Sequence, residues 1–292
     1  MRSRFLILLA AVVALGAAPA GADAATCQGA AKLPTLVSAV PSEIAVQKVG
    51  SKYTVVFRSG MTNVGSGALE IVGQRKSIKH KTIYPRQIID CKRGPSLARR
   101  NIGTMKFVRR PTHQHWHLRD LERYRLVALA DLSSRRAKKR GFCLGDSWDP
   151  GVVVAGKPKV GRFDGDLRTA CAQGRSDALK VREGISPGWG DYYSPLIEGQ
   201  YVDLSDLPDG QYRLLNELDP LRRLTFGSRA QSVAGQDFNL TTPSDGSAPI
   251  VELTGTCTSV DACASSEPFA APEPSGSARL ARPQPRLGGW FN

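Results

Sequence analysis

Three of the four histidines in this 292-residue chain stand at alternate positions: His113, His115 and His117. In an extended backbone, alternate side chains share a face, so these imidazoles would follow one another at Cα intervals of about 6.6 Å. A modest bend would let their nitrogens converge on one cation at about 2.0–2.1 Å. The spacing therefore predicts a metal site formed by these side chains. The fourth histidine, His80, stands alone in a basic segment and is expected to be solvated.

Imidazole does not select the metal by itself, because zinc, copper and non-haem iron all accept it. The HExxH pattern typical of zinc enzymes is absent from the sequence. The facial triad of non-haem iron combines two histidines with a carboxylate, whereas this segment offers three histidines. Copper heads the affinity order of divalent ions and suits an all-nitrogen site in an oxidising compartment. Copper is therefore the favoured ion, with zinc or iron as the alternative.

Short alternating apolar runs, separated by Gly- and Pro-rich turns, indicate the strands that must position these side chains. Six runs have this pattern: Tyr53–Arg58, Ala68–Val72, Tyr124–Leu129, Tyr201–Leu204, Tyr212–Leu215 and Ile250–Leu253. The turn Pro208-Asp209-Gly210 is expected to join two of them as a hairpin, and the best helix candidate is Asp177 to Glu183. Gln114 and Trp116 would face away from the histidines, with Trp116 able to pack into the core. The pattern predicts a mainly β fold, a single β-sandwich-like domain with long loops.

The chain begins like an exported protein. Arg2 and Arg4 precede an apolar run from Phe5 to Ala18, which small residues follow. The run is shorter than the ~20 apolar residues that a membrane-spanning helix needs. Residues 1–25 are therefore expected to be a signal peptide, and the mature protein to be secreted, extracellular or in the cell envelope, without a membrane span.

All six cysteines come after this leader, and an even number in an exported chain favours disulfides over thiolate metal ligands. The pairing cannot be deduced from the sequence, although Cys257 and Cys263 are near enough to close a small loop. From about residue 265 the composition shifts to Pro, Ala, Ser and Arg, which predicts a disordered tail over 265–292. One domain over 26–264 is the simplest division.

The formal net charge of +14 indicates a basic surface that would attract anionic partners such as cell-envelope polymers. The plainer interpretation is a solvated face that favours solubility. No nucleic-acid motif accompanies the charge, so no nucleic-acid partner is expected.

The segment His113-Gln114-His115-Trp116-His117 resembles the copper-binding signature of the lysyl oxidase family. Two further segments are similar to that family. One runs from Gly184-Ile185-Ser186-Pro187-Gly188-Trp189-Gly190-Asp191-Tyr192-Tyr193 through Gly199 to Tyr212, and the other is Phe142-Cys143-Leu144, preceded by Lys139. The resemblance spans about residues 34 to 220, and it is specific because the segments occur together.

The resemblance implies a copper-dependent oxidase that converts primary amines or protein lysine side chains to aldehydes with O₂, releasing NH₃ and H₂O₂. Family members build their own cofactor, lysine tyrosylquinone, when copper and O₂ oxidise a tyrosine and a lysine amine adds to the ring. The family pattern matches Tyr193 and Lys139, with Tyr192 and Lys138 as adjacent rivals. Asp191 is the nearby carboxylate expected to act as the base.

The sequence also departs from the family. Ser228-Arg229-Ala230-Gln231-Ser232 stands where an Asn-Asn strand is expected, and the cysteines are fewer than in animal members. The resemblance therefore implies a bacterial branch reduced to the catalytic domain. Two alternatives stay open: a non-catalytic extracellular copper-binding protein that captures or buffers the metal, and a zinc or iron enzyme on a small β scaffold.

Overall fold

The computed structural model describes residues 27–110, 114–163 and 170–265. The first strands are β1 (Gln28–Lys32), β2 (Leu36–Ser38), β3 (Ser42–Val49), β4 (Lys52–Asn63), β5 (Leu69–Gln74), β6 (Thr82–Ile83), β7 (Arg86–Arg93), β8 (Leu97–Arg99), β9 (Met105–Phe107) and β10 (Trp116–Arg119). They are followed by β11 (Glu122–Ala128), β12 (Ser134–Arg136), β13 (Gly141–Phe142), β14 (Lys180–Ile185), β15 (Gly190–Tyr193), β16 (Tyr201–Asp203), β17 (Gly210–Leu218), β18 (Val233–Thr241) and β19 (Ile250–Cys257). A 3-10 turn covers Ala170–Ala172, and the short helix α1 covers Val260–Ala264.

The strands form four antiparallel sheets. Three of them run in the orders β1-β7-β5-β14 with β8 on β7, β13-β10-β9-β6, and β12-β11-β17-β18-β19. The fourth is built on the long strand β4, which pairs near its start with β3 and β16 and near its end with β2 and β15. Strand β15 is therefore hydrogen-bonded to β4, a strand that contributes side chains to the core.

All four sheets contribute side chains to one apolar core. Ile71 of β5, Met105 of β9, Leu126 of β11 and Phe57 of β4 are each buried in it. Burial of such a side chain stabilises the fold by about 1.5–3 kcal/mol. The rings of Tyr124 and Phe57 also make a T-shaped contact, with centroids 5.0 Å apart. The predicted mainly β, sandwich-like architecture is confirmed, and the long loops include residues 143–163 after β13.

All six predicted strands are present and correspond to β4, β5, β11, β16, β17 and β19, although Ala68, Leu129 and Leu204 lie one residue outside the observed strands. The predicted hairpin was wrong, because β16 pairs with β4 whereas β17 pairs with β11 and β18. The turn Pro208-Asp209-Gly210 therefore connects two different sheets. A turn motif specifies a local change of direction, but the partner of a strand depends on which apolar face it must bury.

The helix prediction for Asp177 to Glu183 was also wrong. Residues from Lys180 onward form β14, in which Val181 and Glu183 face inward. The register with β5 places Val181 opposite Gly73, where the sheet buries the alternating face. Pairing with a neighbouring strand overrides the weak local preference for a helix.

Three disulfides join Cys27 to Cys91, Cys143 to Cys171, and Cys257 to Cys263. The expectation of disulfides and of a small loop closed by Cys257 and Cys263 is confirmed. Within the described ranges, no helix combines the length and apolar character needed to cross a membrane. The predicted signal peptide lies outside the described residues, as does the predicted tail after Ser265.

Candidate functional site

Strand β10 orients the histidine segment by burying its tryptophan. Trp116 is 1% exposed, its indole N–H donates to the carbonyl oxygen of Arg175 at 3.0 Å, and the Arg75 guanidinium lies 4.7 Å from its ring centroid. Neighbouring residues of an extended segment face opposite sides, so this arrangement turns His115 and His117 the other way. The prediction that Trp116 packs into the core is confirmed, although regular strand begins only at that residue.

The side chains of His115 and His117 converge in the interior. Their Nε2 atoms are 2.8 Å apart, and both residues are buried. The Nδ1 of His115 lies 2.7 Å from the side-chain oxygen of Gln173. Because that oxygen only accepts hydrogen bonds, Nδ1 carries the proton and the lone pair of His115 is on Nε2. Two cis ligands of one ion would have nitrogens about 3 Å apart, so the pair fits a shared metal ion.

The predicted third ligand, His113, lies outside the described residues. Burial is the largest effect on His115 and lowers its pKa to about 4 against the opposing hydrogen bond to Gln173, and the charge of Lys139 lowers it further. The imidazole is therefore neutral near pH 7, the state that binds metals. Gly141 packs on the other histidine: a Cβ built there would lie 2.8 Å from Nδ1 of His117.

The matched lysine and tyrosine come together although they are far apart in the sequence. The Nζ of Lys139 lies 4.9 Å from the ring centroid of Tyr193, and both side chains are buried. The backbone N–H of Lys139 donates to the carbonyl oxygen of Gly199 at 2.9 Å, which holds the segment before β13. The Phe142 ring packs edge-on against Tyr193, with ring centroids 5.2 Å apart. The structure thus brings the amine over the ring to which it is expected to add.

Burial favours the neutral forms of both the Lys139 amine and the Tyr193 phenol. Burial lowers the pKa of Lys139 to about 8, although Glu122, Asp191 and Glu198 oppose the shift. Burial and the charges of Asp191 and Glu122 raise the pKa of the Tyr193 phenol well above its usual value. Near pH 8 a large fraction of Lys139 is therefore the uncharged amine, the form that acts as a nucleophile.

The carboxyl group of Asp191 lies beside Tyr193, and both of its oxygens accept hydrogen bonds. The Tyr193 hydroxyl donates to Oδ2 at 2.7 Å, and the Ser147 hydroxyl donates to Oδ1 at 2.7 Å. The backbone N–H of Gly145 lies 3.3 Å from Oδ2, and the carbonyl oxygen of Cys143 is 3.2 Å from the phenol. Burial raises the pKa of Asp191 to about 7 against these hydrogen bonds. Asp191 therefore fixes the position of the phenol.

The two rival residues occupy different environments. Lys138 is exposed, whereas Lys139 is 7% exposed. Tyr192 is half-buried on the other face of β15, with the Arg58 guanidinium 5.2 Å from its ring centroid. Neither rival has a described contact with the histidine pair.

Sequence reasoning missed two polar side chains of the site. Gln173 orients His115, but it lies outside any strand and nothing in its sequence context indicated a contact with the histidines. Glu122 interacts electrostatically with Lys139 and Tyr193. A signal for Glu122 did exist, because the alternation of β11 places it on the same buried face as Tyr124.

A second grouping of metal-type ligands does not form a metal site. The sulfur atoms of Cys143 and Cys171 and a carboxyl oxygen of Glu183 lie within 4.8 Å of one another. The two sulfur atoms form a disulfide with each other, so neither is the thiolate that a metal would require. The grouping instead shows a buried carboxyl next to a structural disulfide.

The site therefore combines a histidine pair that fits a metal ion, a partly neutral amine over a phenol ring, and a carboxyl that holds the phenol. No protein-family model matches the chain, and a comparison with curated proteins found no significant match.

Proposed function

We propose that this chain is a secreted copper-dependent amine oxidase similar to the lysyl oxidases, with a cofactor made from Lys139 and Tyr193. The observation that carries the proposal is the buried placement of the Lys139 amine 4.9 Å from the Tyr193 ring centroid. The charge of Lys139 also acts on His115, so the lysine lies near the candidate metal ligands.

The histidines are the residues that would hold copper: His115, His117 and, by the family pattern, His113. Bound copper and O₂ would supply the oxidation of Tyr193 to a quinone, whose carbonyl groups take electrons from primary amines. Gln173 keeps the proton of His115 on Nδ1, which would leave the Nε2 lone pair available to hold the metal.

The remaining groups prepare the amine and the phenol. Asp191 orients the Tyr193 hydroxyl and can accept its proton, because burial brings the pKa of the carboxyl close to neutrality. Burial also keeps part of Lys139 uncharged, so that its lone pair is available to the ring. The T-shaped contact with Phe142 would help to orient the Tyr193 ring, which favours addition at one ring position.

The substrate would be a primary amine, either small or a lysine side chain of another protein, with O₂ as the second substrate. A chain with a net charge of +14 repels cationic amines at long range, so attraction must come from carboxylates near the site. Glu198 is suited to this role: it is exposed, pairs with Arg110 at 3.2 Å and acts on the charge of Lys139.

Export is part of the proposal. The three disulfides are typical of proteins that fold in an oxidising compartment. The leader-like first residues favour secretion or the cell envelope, where both copper and O₂ are accessible. Anionic polymers of the envelope are proposed as the binding partners of the basic surface.

The test is peroxide release from a primary amine by copper-loaded protein. We expect His115→Ala to abolish it, and phenylhydrazine, which caps quinone carbonyls, to inhibit it. The matched control is His80→Ala, since this histidine is exposed and its described hydrogen bonds use backbone atoms only. Stoichiometric copper without peroxide or a phenylhydrazine adduct would instead identify a copper-binding protein, and zinc or iron as the bound metal would point to the third function.

A further inference from the structure

An exposed serine in the loop after β13 contacts the buried carboxyl of the candidate site. Ser147 is exposed, whereas Asp191 is 4% exposed. The next residue of the loop, Trp148, donates its backbone N–H to the carbonyl oxygen of Gly190 at 3.1 Å and accepts the N–H of Gly190 at 2.8 Å. These two hydrogen bonds pair the loop with β15 at the residue before Asp191, so Ser147 and Asp191 are held side by side.

The contact between the two side chains has a defined direction. The Ser147 Oγ lies 2.7 Å from Oδ1 of Asp191 and accepts the backbone N–H of Tyr192 at 3.1 Å. The amide occupies one lone pair of the hydroxyl oxygen and fixes its position, and a carboxylate oxygen can only accept a hydrogen bond. The Ser147 hydroxyl therefore donates to Oδ1 when Asp191 is ionised.

The two oxygens of Asp191 differ in their hydrogen-bond donors. Oδ2 accepts the Tyr193 hydroxyl at 2.7 Å and the backbone N–H of Gly145 at 3.3 Å. Among the described residues, Ser147 is the only donor to Oδ1. Without this hydroxyl, a negatively charged oxygen would be buried with no donor, which is costly. Loss of the Ser147 hydroxyl would therefore favour protonation of Asp191.

The charges around Asp191 also oppose its ionisation. The titratable groups that interact with it are three carboxyl groups, one amine and one phenol: Glu122, Asp146, Glu183, Lys139 and Tyr193. Burial raises the pKa of Asp191 to about 7, and the hydrogen bond from Ser147 is the largest effect in the opposite direction. Ser147 therefore contributes most to keeping this carboxyl ionised near neutral pH.

Resting on the proposed amine oxidase activity, we propose that Ser147 is a positioning residue that holds Asp191 in the ionised form, which accepts the phenol proton of Tyr193 during cofactor formation. In this step the O–H bond of Tyr193 breaks and an O–H bond forms on Oδ2 of Asp191. One proton moves, and the negative charge passes from the carboxylate to the phenolate. A protonated Asp191 could not accept this proton, so loss of Ser147 slows cofactor formation most at low pH.

The test is the rate of cross-link formation after copper is added to full-length, copper-free protein, measured by phenylhydrazine titration between pH 6 and pH 9. We expect Ser147→Ala to react about tenfold more slowly than the wild type at pH 6. Near pH 9 the two rates should be equal, because Asp191 is then ionised in both proteins. Ser147→Thr, which keeps the hydroxyl, should restore the wild-type rate at every pH.

The matched control is Ser96→Ala. Ser96 is exposed, and its hydroxyl donates to Oδ1 of Asp90 at 3.0 Å, so this variant loses a serine–aspartate hydrogen bond outside the candidate site. Its rate of cross-link formation should match the wild type throughout the pH range. Copper content, measured at each pH, should be the same in all variants.

A wild-type rate in Ser147→Ala at pH 6 would overturn the proposal, and so would a loss that is equal at every pH, since a purely structural role predicts the latter. If the wild-type protein forms no cross-link, the proposed function fails, and infrared spectroscopy of the copper-free protein still tests Ser147. The carboxylic acid band that Asp191→Asn removes should persist to higher pH in Ser147→Ala than in the wild type. Identical titrations of that band would overturn the role of Ser147.

Discussion

At the scale of single residues, burial is what distinguishes Lys139 from the other lysines of a strongly basic chain. An exposed lysine is almost fully protonated near neutral pH and a poor nucleophile, whereas burial lowers the pKa of Lys139 to about 8. The sequence places this residue in a run of basic side chains, which by itself predicts a solvated loop. Only the resemblance to a family identified it, because hydropathy carries no signal for a buried lysine.

The lowered pKa of Lys139 predicts how cofactor formation depends on pH. The neutral amine is the reactive form, and below its pKa the neutral fraction falls about tenfold for each pH unit. The rate of cross-link formation after copper addition should therefore rise from pH 6 to pH 8 and then level off, as measured by phenylhydrazine titration. Copper content measured at each pH is the control. A rate that does not change over this interval would contradict the role given to Lys139.

The histidines and the carboxyl differ in how far they could be predicted. The alternation of His115, Trp116 and His117 was sufficient to predict opposite faces and a buried tryptophan, since it needs only the period of an extended chain. The orientation of Asp191 towards Tyr193 could not be derived. The two residues share one face of a strand, but this does not determine the rotamer of either side chain. Its contacts with Ser147 depend on a loop from elsewhere in the sequence.

At the scale of elements, the two halves of the site meet where β13 pairs with β10. Gly141, the first residue of β13, leaves room for the His117 ring, and β13 is followed directly by Cys143, whose carbonyl oxygen lies 3.2 Å from the Tyr193 hydroxyl. The short strand thus connects the histidine pair to the tyrosine.

Gly141→Ala should weaken metal binding without unfolding the protein. The new methyl group would lie 2.8 Å from Cβ and Nδ1 of His117, so the imidazole must move. Displacing a ligand in this way should lower copper affinity by about 10–100-fold, measured by competition with a chelator. The thermal midpoint and circular dichroism are the controls for the fold. Unchanged copper affinity would show that His117 is not a ligand, or that it tolerates the shift.

The disulfide between Cys143 and Cys171 supports both halves of the site. Cys143 presents its carbonyl oxygen near Tyr193, and Cys171 is two residues before Gln173, which orients His115. Replacing both cysteines with serine should cost about 3 kcal/mol in the free energy of unfolding, measured with denaturant, and should also reduce copper affinity.

The matched control replaces Cys257 and Cys263 with serine. This disulfide joins the end of β19 to α1 and has no described contact with the site residues. It should lower stability while leaving copper affinity unchanged. Equal losses of affinity in both double variants would indicate general destabilisation and contradict a specific role for the first disulfide.

At the scale of the whole molecule, strand periodicity predicted the class of fold but not the pairing. The alternating runs identify six strands, because a half-buried strand must alternate apolar and polar side chains along its length. They could not show that β16 adds to β4 whereas β17 adds to β11, since pairing depends on contacts between distant segments. Disulfide pairing could not be predicted from the sequence for the same reason, except for the short loop between Cys257 and Cys263.

The net charge of +14 predicts salt-dependent binding to anionic polymers. Retention on a soluble polyanion at low ionic strength should decrease steeply towards 0.5 M salt, because screening shortens the range of the interaction to a few ångströms, about 3 Å at 1 M. Amine turnover by protein already loaded with copper should change much less over the same range of salt concentration, since the side chains of the candidate site are buried. Retention that is insensitive to salt would contradict an electrostatic surface.

The most direct measurement is peptide mass spectrometry of protein expressed with copper. We expect one cross-linked species that joins the Lys139 and Tyr193 peptides. It should be absent from Lys139→Arg and retained in Lys138→Arg, because the side chain of Lys138 is exposed. Unmodified Lys139 and Tyr193 peptides from fully copper-loaded wild-type protein would contradict it.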